Sequence, residues 1–191
     1  MMDDIDYMVT AYVTASGSLD ESSQNGAVLV SHLNNSVAIG YGNNNFPDNV
    51  QFTKDRSERR PEKYRYFEHA ERNAIYDAAR YGHTILDATM YCPWAACCDC
   101  ARGIIQSGVA KLVMHHERMQ MTPVRWQDDV NEALSMLAEA GVELSYLTGP
   151  VDASPILVNG EWWDPAYPSP PEQDGNWFVG MDGLTYIPDE V

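Results

Sequence analysis

Positive charge is scarce in this chain. Its 191 residues carry 12 Lys and Arg against 28 Asp and Glu, a formal net charge of −16. From Trp126 to Val191 there is no Lys or Arg at all, against thirteen Asp and Glu. Proteins that follow a nucleic acid present a basic face that displaces counterions from phosphates, so a polynucleotide partner is disfavoured. Long apolar runs are missing too, and the opening Met-Met-Asp-Asp-Ile-Asp has no basic region. The expectation is a chain with neither a secretory leader nor a membrane span. Cysteine is sparse and confined: all four lie between Cys92 and Cys100. They are too crowded for a disulfide framework, which points to a reducing cytoplasm.

What remains is ample for one soluble enzyme. Hydrophobic residues make up 45% of the chain, enough for a sizeable core in a single domain of this length.

The chemistry concentrates in His69-Ala-Glu71 and, 28 positions on (97 − 69), Cys97-Cys-Asp-Cys100. One imidazole nitrogen and two thiolates suit zinc, and three protein ligands leave the fourth tetrahedral position open, as in catalytic sites. Cys97 and Cys100 are three apart, so a helix starting at Cys97 would project both sulfurs from one face. His69 opens a second helical stretch, Ala70 to Arg80. Two helix N-termini at the metal would favour thiolate over thiol. Glu71 lies close enough to hydrogen-bond a water at the metal and is the natural proton carrier. A CxxC alone is equally consistent with redox chemistry or chance; the His-x-Glu beside it favours a zinc hydrolase.

These segments resemble the cytidine/deoxycytidylate deaminase superfamily and, within it, the deoxycytidylate (dCMP) deaminase branch. Asp20-Glu-Ser-Ser-Gln-Asn-Gly26-Ala27-Val28 is similar to that family's first-strand approach, and Gly42-Asn-Asn44-Asn-Phe46-Pro47 to its G-Y-N-G-F-P loop. The runs from Glu68 to Ile75 and from Met90 to Arg102 carry the most specific part. One departure is Ala96, where the family has proline before the first cysteine ligand. The resemblance covers about residues 7 to 165. It implies zinc, one ion per subunit, held by His69, Cys97 and Cys100, with Glu71 as general acid/base. It further implies a substrate contacted by Asn44, Ala70 and Trp94. Asn44 would hold the sugar or, alternatively, merely form a turn; Trp94 would wall the base pocket or belong to the core.

Hydrophobic periodicity supplies the frame. A helix over Tyr7 to Ala15 precedes apolar runs at Ala27 to Ser31 and Val37 to Gly42, which flank Asn34-Asn35, a pair suited to a hairpin turn. A loop over 43–68, a helix over 69–81, a strand at Ala88–Cys92, a helix over 97–107 and a strand at Lys111–His115 follow. A helix carrying Trp126, Val130, Ala133, Leu134 and Leu137 then runs to Gly141, before a strand at Val142–Leu147. The expected fold is a three-layer α/β/α cytidine-deaminase-like sandwich. Its five-stranded sheet is mixed, and the strand–helix–strand crossover makes the last two strands parallel. Residues 1–165 form the deaminase domain, and 166–191 an extension whose Trp177, Phe178, Tyr186 and Ile187 are apolar enough to dock on the domain or a neighbouring subunit.

Six of the twelve basic residues, Lys54, Arg56, Arg59, Arg60, Lys63 and Arg65, precede His69. Lys63 and Arg65, with Arg118 and Arg125 further on, are the candidate phosphate partners. His32, His83, His115 and His116 lack a partner at ligand spacing and are set aside. The resulting expectation is zinc-dependent hydrolytic deamination of a deoxycytidine nucleotide, dCMP to dUMP and ammonia, within deoxyuridylate synthesis. The alternative is a zinc deaminase acting on cytidine, a modified cytosine nucleotide or an adenine compound. The family resemblance implies a homo-oligomer, hexamers being common in the branch, with response to dCTP and dTTP.

Overall fold

The computed structural model describes residues 2–33 and 36–168, together with the backbone of two short strands, Phe178–Val179 and Thr185–Tyr186. Helix α1, Asp4–Ser16, starts at a capping box in which Asp3 and Asp6 exchange side-chain-to-backbone hydrogen bonds. It leads into β1, Gly26–Ser31, and β2, Val37–Asn43, which pair antiparallel; the expected turn residues Asn34 and Asn35 lie outside the described residues. Helices α2, Lys54–Glu58, and α3, Lys63–Tyr66, occupy the stretch read from sequence as loop. That stretch is too short and too charged for a hydrophobic period to reveal them. Then come α4, Ala70–Arg80, β3, Thr89–Tyr91, α5, Cys98–Ser107, and β4, Lys111–His115. A short α6, His116–Gln120, not anticipated from the sequence, precedes α7, Val124–Glu139, and β5, Glu143–Leu147.

The sheet order is β2-β1-β3-β4-β5, with β1 antiparallel to both neighbours and β3, β4 and β5 mutually parallel. The expected parallel end strands are present, joined by α7 as the crossover. Alternation along β1 divides the core. Ala27 and Leu29 face a cluster with Ala74, Ala78, Ile104, Leu134 and Leu137 from α4, α5 and α7. Val28 and Val30 face Tyr7, Met8, Ala11 and Tyr12 of α1. The three layers are therefore α4/α5/α7, sheet, and α1.

A hairpin of β6, Ile156–Val158, and β7, Glu161–Trp163, packs on the α1 side through Ile156 and Val158. It is tied to the segment that enters β1: Gln24 N–H donates to Leu157 O at 2.8 Å, and Gly160 N–H to Ser22 O at 2.7 Å. The expected docking by Trp177 and Ile187 falls outside the described residues, and of Phe178 and Tyr186 only the backbone is described. Among the described residues no helix is long and apolar enough to cross a membrane.

Candidate active site

His69 stands immediately before α4, and the position of that helix is set by backbone. A Cβ on Gly42 would meet Ala70 O at 2.2 Å and Ala74 N at 2.3 Å, so only glycine lets α4 seat this closely on β2. His69 gives α4 no side-chain cap. Asn44 from the loop after β2 supplies one instead: its Oδ1 accepts Ala70 N–H at 3.0 Å while its Nδ2 donates to Ser23 O at 3.0 Å. A helix donor that would otherwise lack a partner is thus satisfied from a neighbouring segment.

Cys97 caps α5 and Cys100 lies on its first turn, so both sulfurs face His69. Cys97 Sγ lies 3.4 Å and Cys100 Sγ 3.6 Å from His69 Nδ1, with the two sulfurs 3.5 Å apart. Bonds of about 2.3 Å to sulfur and about 2.0–2.1 Å to nitrogen around a tetrahedral centre put such atoms roughly 3.5–3.8 Å apart. The donor set and its spacing therefore fit zinc. Among the described residues these three form the one His/Cys/Asp/Glu group of this kind. The hydrogen bond from the Cys100 thiol, with His69 adding to it, pulls Cys97 down to about 3 against the effect of burial. Burial and the adjacent Cys97 thiolate hold Cys100 well up.

Arg72, one turn into α4, donates to Cys100 Sγ at 3.1 Å and is itself held in an ion pair by Glu68, whose Oε1 also accepts His69 N–H. Sequence reading passed over Arg72. The signal was there, four residues after Glu68 and next to Glu71. Cys98 points elsewhere, its thiol donating to Asp129 O at 3.3 Å and its N–H to Asp129 Oδ2 at 3.1 Å, while buried Cys92 faces Asn25.

Glu71 is 2% exposed, and its Oε2 has no hydrogen-bond partner. Burial lifts its carboxyl above the usual carboxylate range. Both His69 and Glu71 line a cavity together with Asn25, Asn44, Trp94, Trp126, Arg60 and Arg125. Trp94 is held by its indole N–H to Thr122 Oγ1 at 2.8 Å. Tyr64 of α3 meets Trp126 of α7 edge-on at 5.9 Å, bridging two sides of the opening.

The residues expected from sequence to touch substrate separate here. Asn44 and Trp94 line the cavity, and Ala70 lies buried behind Asn44. Of the four phosphate candidates, Lys63 and Arg125 line it. Lys63 is 6% exposed, and its ammonium is taken by Asp20 Oδ1 at 2.6 Å and Ser22 Oγ at 2.9 Å. Arg65 is exposed and is not a lining residue, and Arg118 is wholly buried against the Trp94 ring. Arg60 and Arg125 are exposed lining residues with no ion pair among the described residues. His32, His83, His115 and His116 are not part of the His69, Cys97 and Cys100 group.

Comparison with known proteins agrees with this geometry. Residues 1–116 match the cytidine and deoxycytidylate deaminase zinc-binding region. A deaminase encoded in the luxG 3′ region of Aliivibrio fischeri is 34% identical over 137 residues, 72% of this chain and 88% of that protein. The deoxycytidylate deaminase of Homo sapiens is 32% identical over 126 residues, 62% of this chain and 70% of its own. The crystal structure of the cyanophage S-TIM5 dCMP deaminase, solved with dCMP and dUMP, shares the fold at a TM-score of 0.58 and 23% identity, over 77% of this chain and 99% of that one.

Proposed function

The chain belongs to the cytidine and deoxycytidylate deaminase zinc-binding family, and from that membership we propose that it is a hydrolytic deaminase of dCMP, converting dCMP and water into dUMP and ammonia. The observation that carries the reading is the buried Glu71 carboxylate, with one oxygen unpartnered, beside the His69, Cys97 and Cys100 cluster in one cavity.

His69, Cys97 and Cys100 would hold one zinc ion per subunit, and zinc when bound supplies the Lewis acidity that makes water a usable nucleophile near neutral pH. Glu71 takes a proton from the attacking water and delivers it to N3 of the cytosine as oxygen bonds to C4. It then takes the second proton from the new C4 hydroxyl, leaving the C4 carbonyl of dUMP, and passes it to the 4-amino group as the C4–N bond breaks and ammonia leaves. Burial makes its carboxylate a better base for the first of these transfers. Arg72 stabilises the negative charge of the Cys100 sulfur and keeps α4 and α5 in register.

Trp94 offers a face for the base, and Asn44 a carboxamide at the cavity wall whose position is fixed by α4. Arg60, which lies over the Tyr64 ring, and Arg125 line the cavity with no ion pair among the described residues and suit a 5′-phosphate; Lys63 braces the wall through Asp20 instead. The net charge of −16 favours a single nucleotide over a polynucleotide. Homo-oligomeric assembly and a cytoplasmic location belong to the same reading. The first is supported by the family resemblance, the second by the crowded free cysteines.

Incubating zinc-loaded protein with dCMP, CMP, dCTP, deoxycytidine, dAMP and a cytosine-containing oligonucleotide, while following ammonia, tests this directly. Turnover of dCMP well above the rest is expected. Faster turnover of the oligonucleotide or of dAMP overturns the reading.

A further inference from the structure

Asn25 immediately precedes β1 and is 3% exposed. Its backbone carbonyl accepts Asn44 N–H at 3.1 Å, so it is fixed to the same loop that caps α4. Its Nδ2 donates to Cys92 Sγ at 3.3 Å, a sulfur that also receives the Trp94 backbone N–H. With the amide in this orientation its Oδ1 is buried with no hydrogen-bond partner among the described residues. Asn25 lines the same cavity as Glu71, whose Oε2 is likewise unpartnered.

A buried carbonyl oxygen without a donor is costly to keep, and this one belongs to a side chain that lines the cavity holding Glu71. Cytosine presents acceptors at N3 and O2, and its one donor group is the 4-amino group. A hydroxyl carried on C5 would add a second donor on the adjoining edge. We propose that Asn25 is a specificity-determining residue of the base pocket, its Oδ1 accepting a hydrogen bond from a donor carried on the C4–C5 edge of the bound base. The inference rests on the deaminase reading above. The two sources of that donor have different consequences. A contact to the amine strengthens as the amine takes up its proton and leaves, whereas a contact to a C5 hydroxyl selects among substrates without serving dCMP.

The test compares the parent protein with Asn25→Val, which removes the acceptor, and Asn25→Thr, which returns one in nearly the volume of valine. Each zinc-loaded protein is assayed on dCMP, 5-methyl-dCMP and 5-hydroxymethyl-dCMP, with zinc content and melting temperature measured alongside. Asn25→Val is expected to keep zinc and melt no lower than the parent, since it buries no orphan oxygen. It should lose at least about 10-fold in kcat/KM where the donor is read, and Asn25→Thr should recover part of that loss. A uniform loss on all three substrates assigns the 4-amino group; a loss confined to 5-hydroxymethyl-dCMP assigns the C5 hydroxyl. Parent turnover with Asn25→Val within about 2-fold on every substrate overturns the inference alone. A zinc-loaded parent that deaminates none of the three overturns the deaminase reading and the inference with it.

Discussion

The guanidinium carbon of Arg118 lies 4.5 Å from the centre of the Trp94 ring, and none of its nitrogens has a hydrogen-bond partner. The side chain is wholly buried, and burial pulls its pKa down to about 10. The cation–π contact is the compensation the structure offers, and it is smaller than the cost of burying the charge.

Replacing Arg118 by methionine should therefore stabilise the fold. The depressed value corresponds to a penalty on the charged form of about 3 kcal/mol, so a gain of roughly 1–3 kcal/mol in urea unfolding is expected. For a base held below its unfolded value the penalty is complete at neutral pH and is relieved as pH rises through about 10 towards the ordinary arginine value. The advantage of Arg118→Met should shrink over that window. A lower unfolding midpoint for the variant at pH 7 would mean that the guanidinium stabilises the fold.

Metal content should distinguish the three cysteines of the zinc segment. Cys97→Ser and Cys100→Ser are expected to lose zinc, because each removes one of three ligand atoms that lie within 4.8 Å of one another. Cys98→Ser should retain it, since that thiol donates to Asp129 O and serine can do the same. Zinc retained by Cys97→Ser and lost by Cys98→Ser would reverse the ligand assignment.

Glu71→Gln should retain zinc and fold, yet lose turnover of dCMP by at least the roughly 10²–10⁴-fold associated with a general acid/base. Its melting temperature should not fall, because Glu71 Oε2 makes no hydrogen bond and burial already disfavours the charge. Activity within a few-fold of the parent would remove Glu71 from the proton path.

Lys63 and Asp20 form a buried pair at 2.6 Å, with side chains 7% and 9% exposed. Lys63→Met leaves Asp20 with its Ser22 and Ser23 N–H donors but no countercharge. A loss of about 3–5 kcal/mol is expected, with most of it returned in the double variant Asp20→Asn, Lys63→Met. Equal unfolding midpoints for Lys63→Met and the parent would show that the pair contributes nothing.

The candidate metal ligands were legible in the sequence because coordination demands particular atoms at particular spacings, and the structure brings His69, Cys97 and Cys100 together within reach of one ion. The sheet was legible for a different reason. The unbroken apolar run from Ala27 to Val30 reflects burial on both faces of the sheet, and the α7 periodicity burial on one face of a helix, and both leave a mark on residue type. The cavity wall was harder to read. Lys63 is distinguished from Arg60 only by Asp20, 43 residues away in sequence, and Arg118 differs from Arg125 only by lying behind Trp94. Such distinctions depend on long-range packing, as does the unpartnered oxygen of Asn25.

The close seating of α4 on Gly42 also sets where His69 stands. With Ala70 O and Ala74 N pressed against the β2 backbone, α4 has no slack towards the sheet, and Asn44 ties down its first turn. His69 is therefore delivered at a set height over the two sulfurs, 3.4 and 3.6 Å from them. A side chain at position 42 would lift α4 off the sheet and carry His69 with it, so the spacing of the donor set is built into the closeness of two backbones.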